Sequence, residues 1–384
     1  MGLLSGCSDD KPAEEPQTAN GRPDWMAPPQ ALQPEPPPQE EQERELIVGV
    51  IGPETGEEAA FGLQTIAGVK RAAEIFNAGG GIDGKQIKIL HFDDGGDPNA
   101  VEMIVEDLIK KRVLAIIAAP TGWATFSPTR LANTSKTVFL AVGTRRRIGH
   151  SGPFIFRFAL PDDGAVDGLL NYVIKVSDMS RLALITSSVH DHSLTISSEF
   201  KQSISEFGGK IIIEADSYDT YTGRQNLDAV IKALQSKASE LQAVISTGSA
   251  KEAALLAKAM RKAGLKQPLL GSDDLFTEEF LKIGGDDVVG TLLYSSFSPK
   301  DEGAIEEQRF TDLSHDAFMI MAEAIKNAGS SKPSKVRDAL LSTSGFSGLT
   351  GKATFTDEGE PVKQPFLYRV EKKNGKNRFI LLKQ

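Results

Sequence analysis

The chain has 384 residues, with 43 Lys plus Arg against 52 Asp plus Glu, a formal charge of −9 and a single Cys. That balance argues against a nucleic-acid binder, whose affinity rests on clustered basic charge, and one thiol excludes both an intramolecular disulfide and a multi-Cys metal cluster. With 40% hydrophobic and 25% charged residues the composition suits a protein with a real core, and no uninterrupted apolar run approaches the roughly 20 residues that span a bilayer.

In chain order, the first feature is Leu4-Ser5-Gly6-Cys7, which holds the only Cys and is followed by Ser8-Asp9-Asp10. It resembles a bacterial lipoprotein processing site, in which small residues precede a Cys that is lipidated and becomes the mature N-terminus. A full signal peptide carries a basic start and about 7–15 apolar residues before cleavage. Residues 1–7 therefore read as the remnant of such a signal. The resemblance implies lipidation at Cys7 and anchoring to a membrane; the plain alternative is an exposed thiol in a loose end. Between Ser8 and Glu45 ten acids stand against three bases, a net −7, together with nine of the 20 prolines. Such a segment cannot bury enough apolar surface to offset its ordering entropy, so residues 8–45 are expected to form a disordered acidic tether, partly polyproline II.

From Leu46 onward short apolar runs alternate with amphipathic stretches. Leu46 to Ile51 is a buried strand, Phe61 to Phe76 a helix, Ile87 to Phe92 a strand and Ala100 to Lys111 a helix. Val113 to Ala118 and Val138 to Val142 are strands either side of a helix over Thr125 to Thr134. The alternation then restarts with strands at Leu182 to Thr186, Lys210 to Glu214, Ala243 to Ser246 and Pro268 to Leu270. Between them lie helices at Leu194 to Phe207, Arg224 to Ser236 and Lys251 to Ala263. Strands separated by helix-length segments imply parallel βαβ units with both sheet faces covered. Two similar α/β lobes are the economical reading. Farther on come helices at Asp312 to Ala328 and Ser334 to Leu341. Strands at Phe366 to Val370 and Arg378 to Leu382 flank a hairpin turn with Asn374-Gly375 at its tip.

Three motifs invite other chemistry. Gly79-Gly80-Gly81-Ile82-Asp83-Gly84-Lys85 has the spacing of a nucleotide loop, but it leads out of a helix into a strand, whereas phosphate binding needs a turn opening into a helix N-terminus. Gln86 also stands where a phosphate loop carries Ser or Thr, so helix termination by left-handed glycine is the role expected. His190-Asp191-His192 reads as a polar loop after a strand, with pocket lining second, since zinc requires a further ligand. Asp93-Asp94 and Asp273-Asp274 lack a partnering nucleophile or His and read first as turn residues. No Ser-His-Asp order or nucleophile elbow stands out.

Ile51-Gly52-Pro53, Gly56, Phe61-Gly62, Ala67-Gly68, Asn77 to Lys85, Ile87, Asp93-Asp94, Asp97-Pro98 and Ala100 follow one another in an order and spacing with a family likeness. So do Phe346 to Gly351, Phe355 and Asp357 to Glu360. From Leu46 to its C-terminus the chain resembles a type I periplasmic solute-binding protein, of the branch serving branched-chain amino acid ABC transporters (Leu/Ile/Val-binding-like). The resemblance implies two Rossmann-like α/β lobes in a Venus-flytrap arrangement, joined by three crossovers near Ala159 to Gly164, Phe297 to Pro299 and Pro365 to Tyr368. Residues 46–160 plus 297–366 would form lobe I, and residues 161–296 plus 367–384 lobe II. A small molecule would be bound between the lobes, which close over it and present a new shape to a transporter.

By the same resemblance, lobe I would line the pocket with Phe61 as an apolar wall, the loop Thr121-Gly122-Trp123, and Gly143-Thr144-Arg145. Lobe II would add Asp191, Ser249 and Asp273, the last holding an α-ammonium group, with Phe310 as an apolar contact. Hydroxyls and backbone N–H groups at a helix N-terminus complement a carboxylate. The family pattern has Ser where Gly122 and Trp123 stand and Tyr in place of Asp191 and Ser249. Trp123 either stacks on a planar ligand or fills the cleft. Arg145 to Arg147 either bind a further carboxylate or face solvent, which is the reading preferred for Arg146 and Arg147. The resemblance thus implies a non-enzymatic, extracytoplasmic receptor, lipid-anchored to the membrane, without cofactor or metal. It would deliver a small amino acid or related carboxylate to an ABC transporter permease. A ligand-sensing module for a signalling partner is the runner-up, and an enzyme on the same scaffold ranks below it.

Overall fold

Along the inner strands of the first half of the chain apolar side chains alternate between two faces, and both faces are buried. A computed structural model describes residues 46–382 apart from 57, 120–125, 145–146, 219–222 and 301–304. Cys7 and the tether over residues 8–45 lie outside the described residues. The first sheet is built from β1 (Leu46–Ile51), β2 (Ile87–Phe92), β3 (Ala115–Ala118), β4 (Val138–Val142) and β5 (Ile155–Phe158). The order is β2-β1-β3-β4-β5 and every pairing is parallel. Val138, Leu140 and Val142 of β4 enter one core cluster, while Phe139 and Ala141 enter the cluster on the opposite face. A period of two with both sets apolar demands helices on both sides.

Those helices are α1 (Ala59–Ala78), α2 (Pro98–Lys110) and α3 (Thr129–Thr134). The buried face of α1 runs through Gly62, Thr65, Ile66, Val69, Ala72 and Ala73, the three- and four-residue spacing of a one-sided helix. After α1, Gly80 and Gly81 take φ of 103° and 61° and turn the chain toward β2. Asn77 locks that turn, its side chain donating to the Ile87 carbonyl at 2.9 Å and accepting from the Ile87 amide at 2.8 Å. The glycine-rich stretch is thus a helix exit, and it presents no helix N-terminus to a phosphate.

The chain next leaves the first sheet. α4 (Asp162–Leu170) continues into a π-helical turn over Asn171–Val176 and buries Ala165, Val166, Leu169 and Leu170 in the core of a second sheet. That sheet contains β6 (Arg181–Thr186), β7 (Lys210–Asp216), β8 (Ala243–Ser246), β9 (Leu269–Gly271) and β10 (Leu292–Ser295), all parallel. α5 (Asp191–Glu206), α6 (Leu227–Ser236), α7 (Ala250–Lys262) and α8 (Glu278–Gly284) connect them. A long helix, α9 (Ile305–Ala328), then returns to the first lobe, where it lies along α1. With α10 (Pro333–Leu341) and the antiparallel sheet β11 (Phe346–Gly348), β12 (Gly351–Phe355) and β13 (Pro361–Lys363), it completes the first core. The last crossing leads to β14 (Phe366–Lys373) and β15 (Lys376–Leu381), antiparallel strands that extend the second sheet to β15-β14-β10-β9-β8-β6-β7. Phe366 pairs with Ser295 in that sheet, so the crossing falls before the expected boundary at 366. Asn374 and Gly375, with φ of 52° and 77°, form the two-residue turn between Lys373 and Lys376, as the Asn-Gly pair requires.

Two α/β lobes joined by three crossovers are therefore the fold. The crossings lie between β5 and α4, between β10 and α9, and between β13 and β14.

Candidate functional site

Loops at the C-terminal ends of strands from both sheets meet on one cavity. This is where open α/β sheets hold ligands, because the strands diverge there and leave a crevice. Gly143 and Thr144 follow β4, while Ala159, Leu160 and Asp162 lead from β5 into α4. Tyr294 and Ser296 stand at the end of β10, Asp273 lies in a 3-10 turn after β9, and Arg309, Phe310 and Leu313 come from α9. The void they enclose is about 40 Å³. A water needs roughly 10–15 Å³ measured this way, and drug-sized sites run to roughly 300–1,000 Å³. The lobes thus stand close together, and a guest larger than a few waters enters only if they part.

The first lobe's contribution is held from behind by a buried ion pair. Gly143 adopts φ 67°, open to glycine without strain, and its amide donates to the Phe158 carbonyl at 2.9 Å. The Thr144 carbonyl accepts from Arg157 Nη1 at 3.2 Å. Arg157 is 2% exposed, and its Nε donates to Glu360 Oε2 at 2.5 Å, while Glu360 Oε1 accepts from the Gly149 amide at 2.8 Å. A guanidinium buried to this degree is tolerable only when paired and hydrogen-bonded.

On α9, the Phe310 ring meets Phe61 edge-on with centroids 5.0 Å apart, and its amide donates to Gln64 Oε1 at 3.2 Å. The neighbouring Arg309 reaches the other lobe, where its Nη2 donates to the Asp273 carbonyl at 2.6 Å and the Phe276 carbonyl at 3.4 Å. Behind Asp273, Ser272 caps its turn by accepting from the Asp274 amide at 3.3 Å.

The residues expected at the site thus fall into three groups. Gly143, Thr144, Asp273 and Phe310 line the cavity together, and Phe61 stacks on Phe310 at its edge. Asp191 is exposed as the first residue of α5, and Ser249 caps α7; neither is among the described residues lining the cavity. The Ser249 hydroxyl accepts from the Glu252 amide at 3.4 Å, while Glu252 Oε2 accepts from the Ser249 amide at 2.7 Å, a reciprocal capping box. Thr121, Gly122, Trp123 and Arg145 lie outside the described residues. Arg147 is half-exposed and pairs with Asp163.

The polar loop expected at His190-Asp191-His192 is instead the start of α5. Asp191 occupies its first turn, where the helix dipole favours an acid. His190 Nε2 lies 3.4 Å from Glu252, and His192 Nε2 lies 3.4 Å from Asp274. Glu252 also accepts from Tyr218 Oη at 2.5 Å and Ser187 Oγ at 3.2 Å. Burial pushes the Glu252 carboxyl up, but the bonds from Tyr218 and Ser249 outweigh it and leave the group below the usual range. The same bond to Glu252 pushes Tyr218 up to about 12. The two imidazoles therefore serve different carboxylates, and among the described residues no group of three or more His, Cys, Asp and Glu is placed to hold a metal.

Sequence reasoning missed Asp162, Arg309, Arg157 and Glu360 in these roles. Arg157 sits in Ile-Phe-Arg-Phe, a strand whose central cation disguises it, and its partner is 203 residues away. Arg309 adjoins Phe310, but a lone Arg near a helix start ordinarily faces solvent.

The profile of the periplasmic binding protein family matches residues 45–376. The chain belongs to the periplasmic binding protein family. Members of this family are solute-binding proteins rather than enzymes, and membership implies an extracytoplasmic location. Among relatives of this periplasmic binding protein, Leu/Ile/Val-binding protein homolog 3 of Brucella melitensis is 28% identical over 82% of this chain and 88% of its own. Two solved structures share the fold. One is a branched-chain amino acid transporter substrate-binding protein from Streptococcus pneumoniae, in complex with isoleucine, with TM-score 0.64, 23% identity and coverage of 88% of this chain and 100% of that one. The other is an ABC transporter solute-binding protein from Rhodopseudomonas palustris, in complex with 3,4-dihydroxybenzoic acid, with TM-score 0.67, 18% identity and coverage of 88% and 97%. No helix among the described residues is long and apolar enough to cross a membrane.

Proposed function

We propose that this protein is the solute receptor of an ABC importer, capturing a small amino acid or related carboxylate between its lobes by hinge closure and passing it intact to a permease. The observation that carries this reading is the convergence of Gly143 and Thr144 from one lobe with Asp273 from the other on a single small cavity. Asp273 is suited to an α-ammonium group, the Gly143-Thr144 loop to a carboxylate, and Phe61 with Phe310 to an apolar side chain. Trp123 and Arg145 complete the lobe I side of the proposal. The names of the relatives support amino acids, and the dihydroxybenzoate complex of one fold neighbour supports planar carboxylates as the second class to assay.

The test is a fluorescence titration with L-leucine, L-isoleucine, L-valine and 4-hydroxybenzoate, paired with solution scattering. The two indoles are Trp25 and Trp123, and Trp123→Phe assigns the signal. We expect saturable quenching that Trp123→Phe abolishes, and compaction on saturation. Asp273→Ala should weaken amine ligands about tenfold or more, the worth of one charge-assisted hydrogen bond, and spare ligands without an amine. A lobe separation that never responds to the panel refutes the reading. Lipidation at Cys7 belongs to the same proposal as the anchor holding the receptor at the membrane; an unmodified Cys7 thiol by mass spectrometry of protein from its native host refutes it.

A further inference from the structure

Consecutive residues of α9 are attached to different lobes. Ile305, its first residue, is 2% exposed and packs in the second-lobe core with Phe276, Phe297 and Tyr368. From Leu313 onward the helix belongs to the first-lobe core, with Ala317, Phe318, Ile320 and Met321. The changeover falls at two adjacent residues. Arg309 donates to the carbonyls of Asp273 and Phe276 in the second lobe, and Phe310 is held by Gln64 and Phe61 in the first.

The chemistry of the Arg309 contact is unusual in one respect. It grips backbone carbonyls at the two ends of the turn that carries the Asp273 side chain, and both Arg309 and Asp273 line the cavity. A guanidinium nitrogen carries two N–H donors, and Nη2 of Arg309 meets one carbonyl with each. Carbonyl acceptors leave the Asp273 carboxylate out of this bond. If the lobes part, the turn moves with the second lobe while Phe310 stays with α1, so the bonds from Arg309 Nη2 are stretched.

We infer that Arg309 is the positioning residue for ligand capture: it fastens the Asp273 turn to α9 when the lobes are together, and so sets the balance between the closed and open forms. This rests on the two-lobed capture proposed above, but it concerns the closure equilibrium of the protein without its ligand. Ligands that bind only the closed form then gain apparent affinity in proportion to the closed fraction.

The test compares the full chain with Arg309→Ala and Arg309→Lys, by solution scattering without ligand and with L-isoleucine, alongside thermal unfolding. Without ligand, Arg309→Ala should lower the closed-to-open ratio about tenfold or more, through the loss of its charge-assisted hydrogen bonds to the two carbonyls. Arg309→Lys should recover part of the closed fraction. Equal lobe separation in wild type and Arg309→Ala overturns the inference, as does a lowered Tm with no change in separation, which marks a merely structural role. An absence of response to L-isoleucine in every protein counts against the proposed ligand class, and the unliganded comparison still decides the role of Arg309.

Discussion

Glu360→Ala removes both oxygens that hold the ion pair behind the Gly143-Thr144 loop. The bond from Arg157 Nε at 2.5 Å and the bond from the Gly149 amide at 2.8 Å are lost together, and a guanidinium 2% exposed is left without its carboxylate. Breaking a buried pair from one side costs about 3–5 kcal/mol, because the remaining charge stays desolvated. Replacing both partners by apolar residues of similar size is often neutral, since both desolvation penalties vanish with the pair. Arg157→Met/Glu360→Leu should therefore regain most of the stability lost by Glu360→Ala. The measurement is urea unfolding of the wild type, Glu360→Ala and the double variant, comparing midpoints at unchanged slope. The double variant also loses the bond from Arg157 Nη1 to the Thr144 carbonyl, so hydrogen exchange should show the amides of Gly143 and Thr144 opening more readily even where global stability has returned. A loss below about 1 kcal/mol for Glu360→Ala, or a double variant no more stable than the single, would refute the reasoning, because the pair would then behave as a surface one.

Lys363 is buried and donates to Thr350 Oγ1 at 2.6 Å, while Thr350 Oγ1 donates to Asp316 at 2.6 Å. Burial pushes the amine down to about 8, and Asp316 only partly restores it. The unfolded chain, near 10.4, then binds more protons between those values. Stability of the wild type relative to Lys363→Met should therefore rise from pH 8 toward pH 10.5 in parallel unfolding curves, and a flat difference argues against a lowered amine. At Gly62, an added Cβ would stand 1.9 Å from the Pro53 carbonyl oxygen and 2.6 Å from its nitrogen. Neither backbone atom can rotate away, so Gly62→Ala should lower stability by about 1–3 kcal/mol; an unchanged denaturation midpoint would show that α1 shifts freely.

The two-lobed architecture was legible because its signals are local. Apolar runs such as Val138 to Val142, buried on both faces, announce parallel strands, and Asn374-Gly375 announces its own turn whatever the rest of the chain does. The elements that went unread, β5, α4, α8, β10 and the small sheet β11 to β13, are short or interrupted by a charge, as Ile155–Phe158 is by Arg157. Their character comes from partners far away in sequence. The site divides in the same way. Gly143, Thr144 and Asp273 follow strands, positions that strand order already marks as cleft-facing, while Phe310 sits in the second turn of α9. That Ser249 caps its own helix was written locally, in the Ser-x-x-Glu spacing to Glu252, whereas that Arg157 finds Glu360 and that Arg309 reaches a carbonyl in the other lobe were decided by tertiary structure alone. A side chain's partner depends on which of several donors and acceptors the packed lobes bring within about 3 Å, and neither periodicity nor composition encodes that distance.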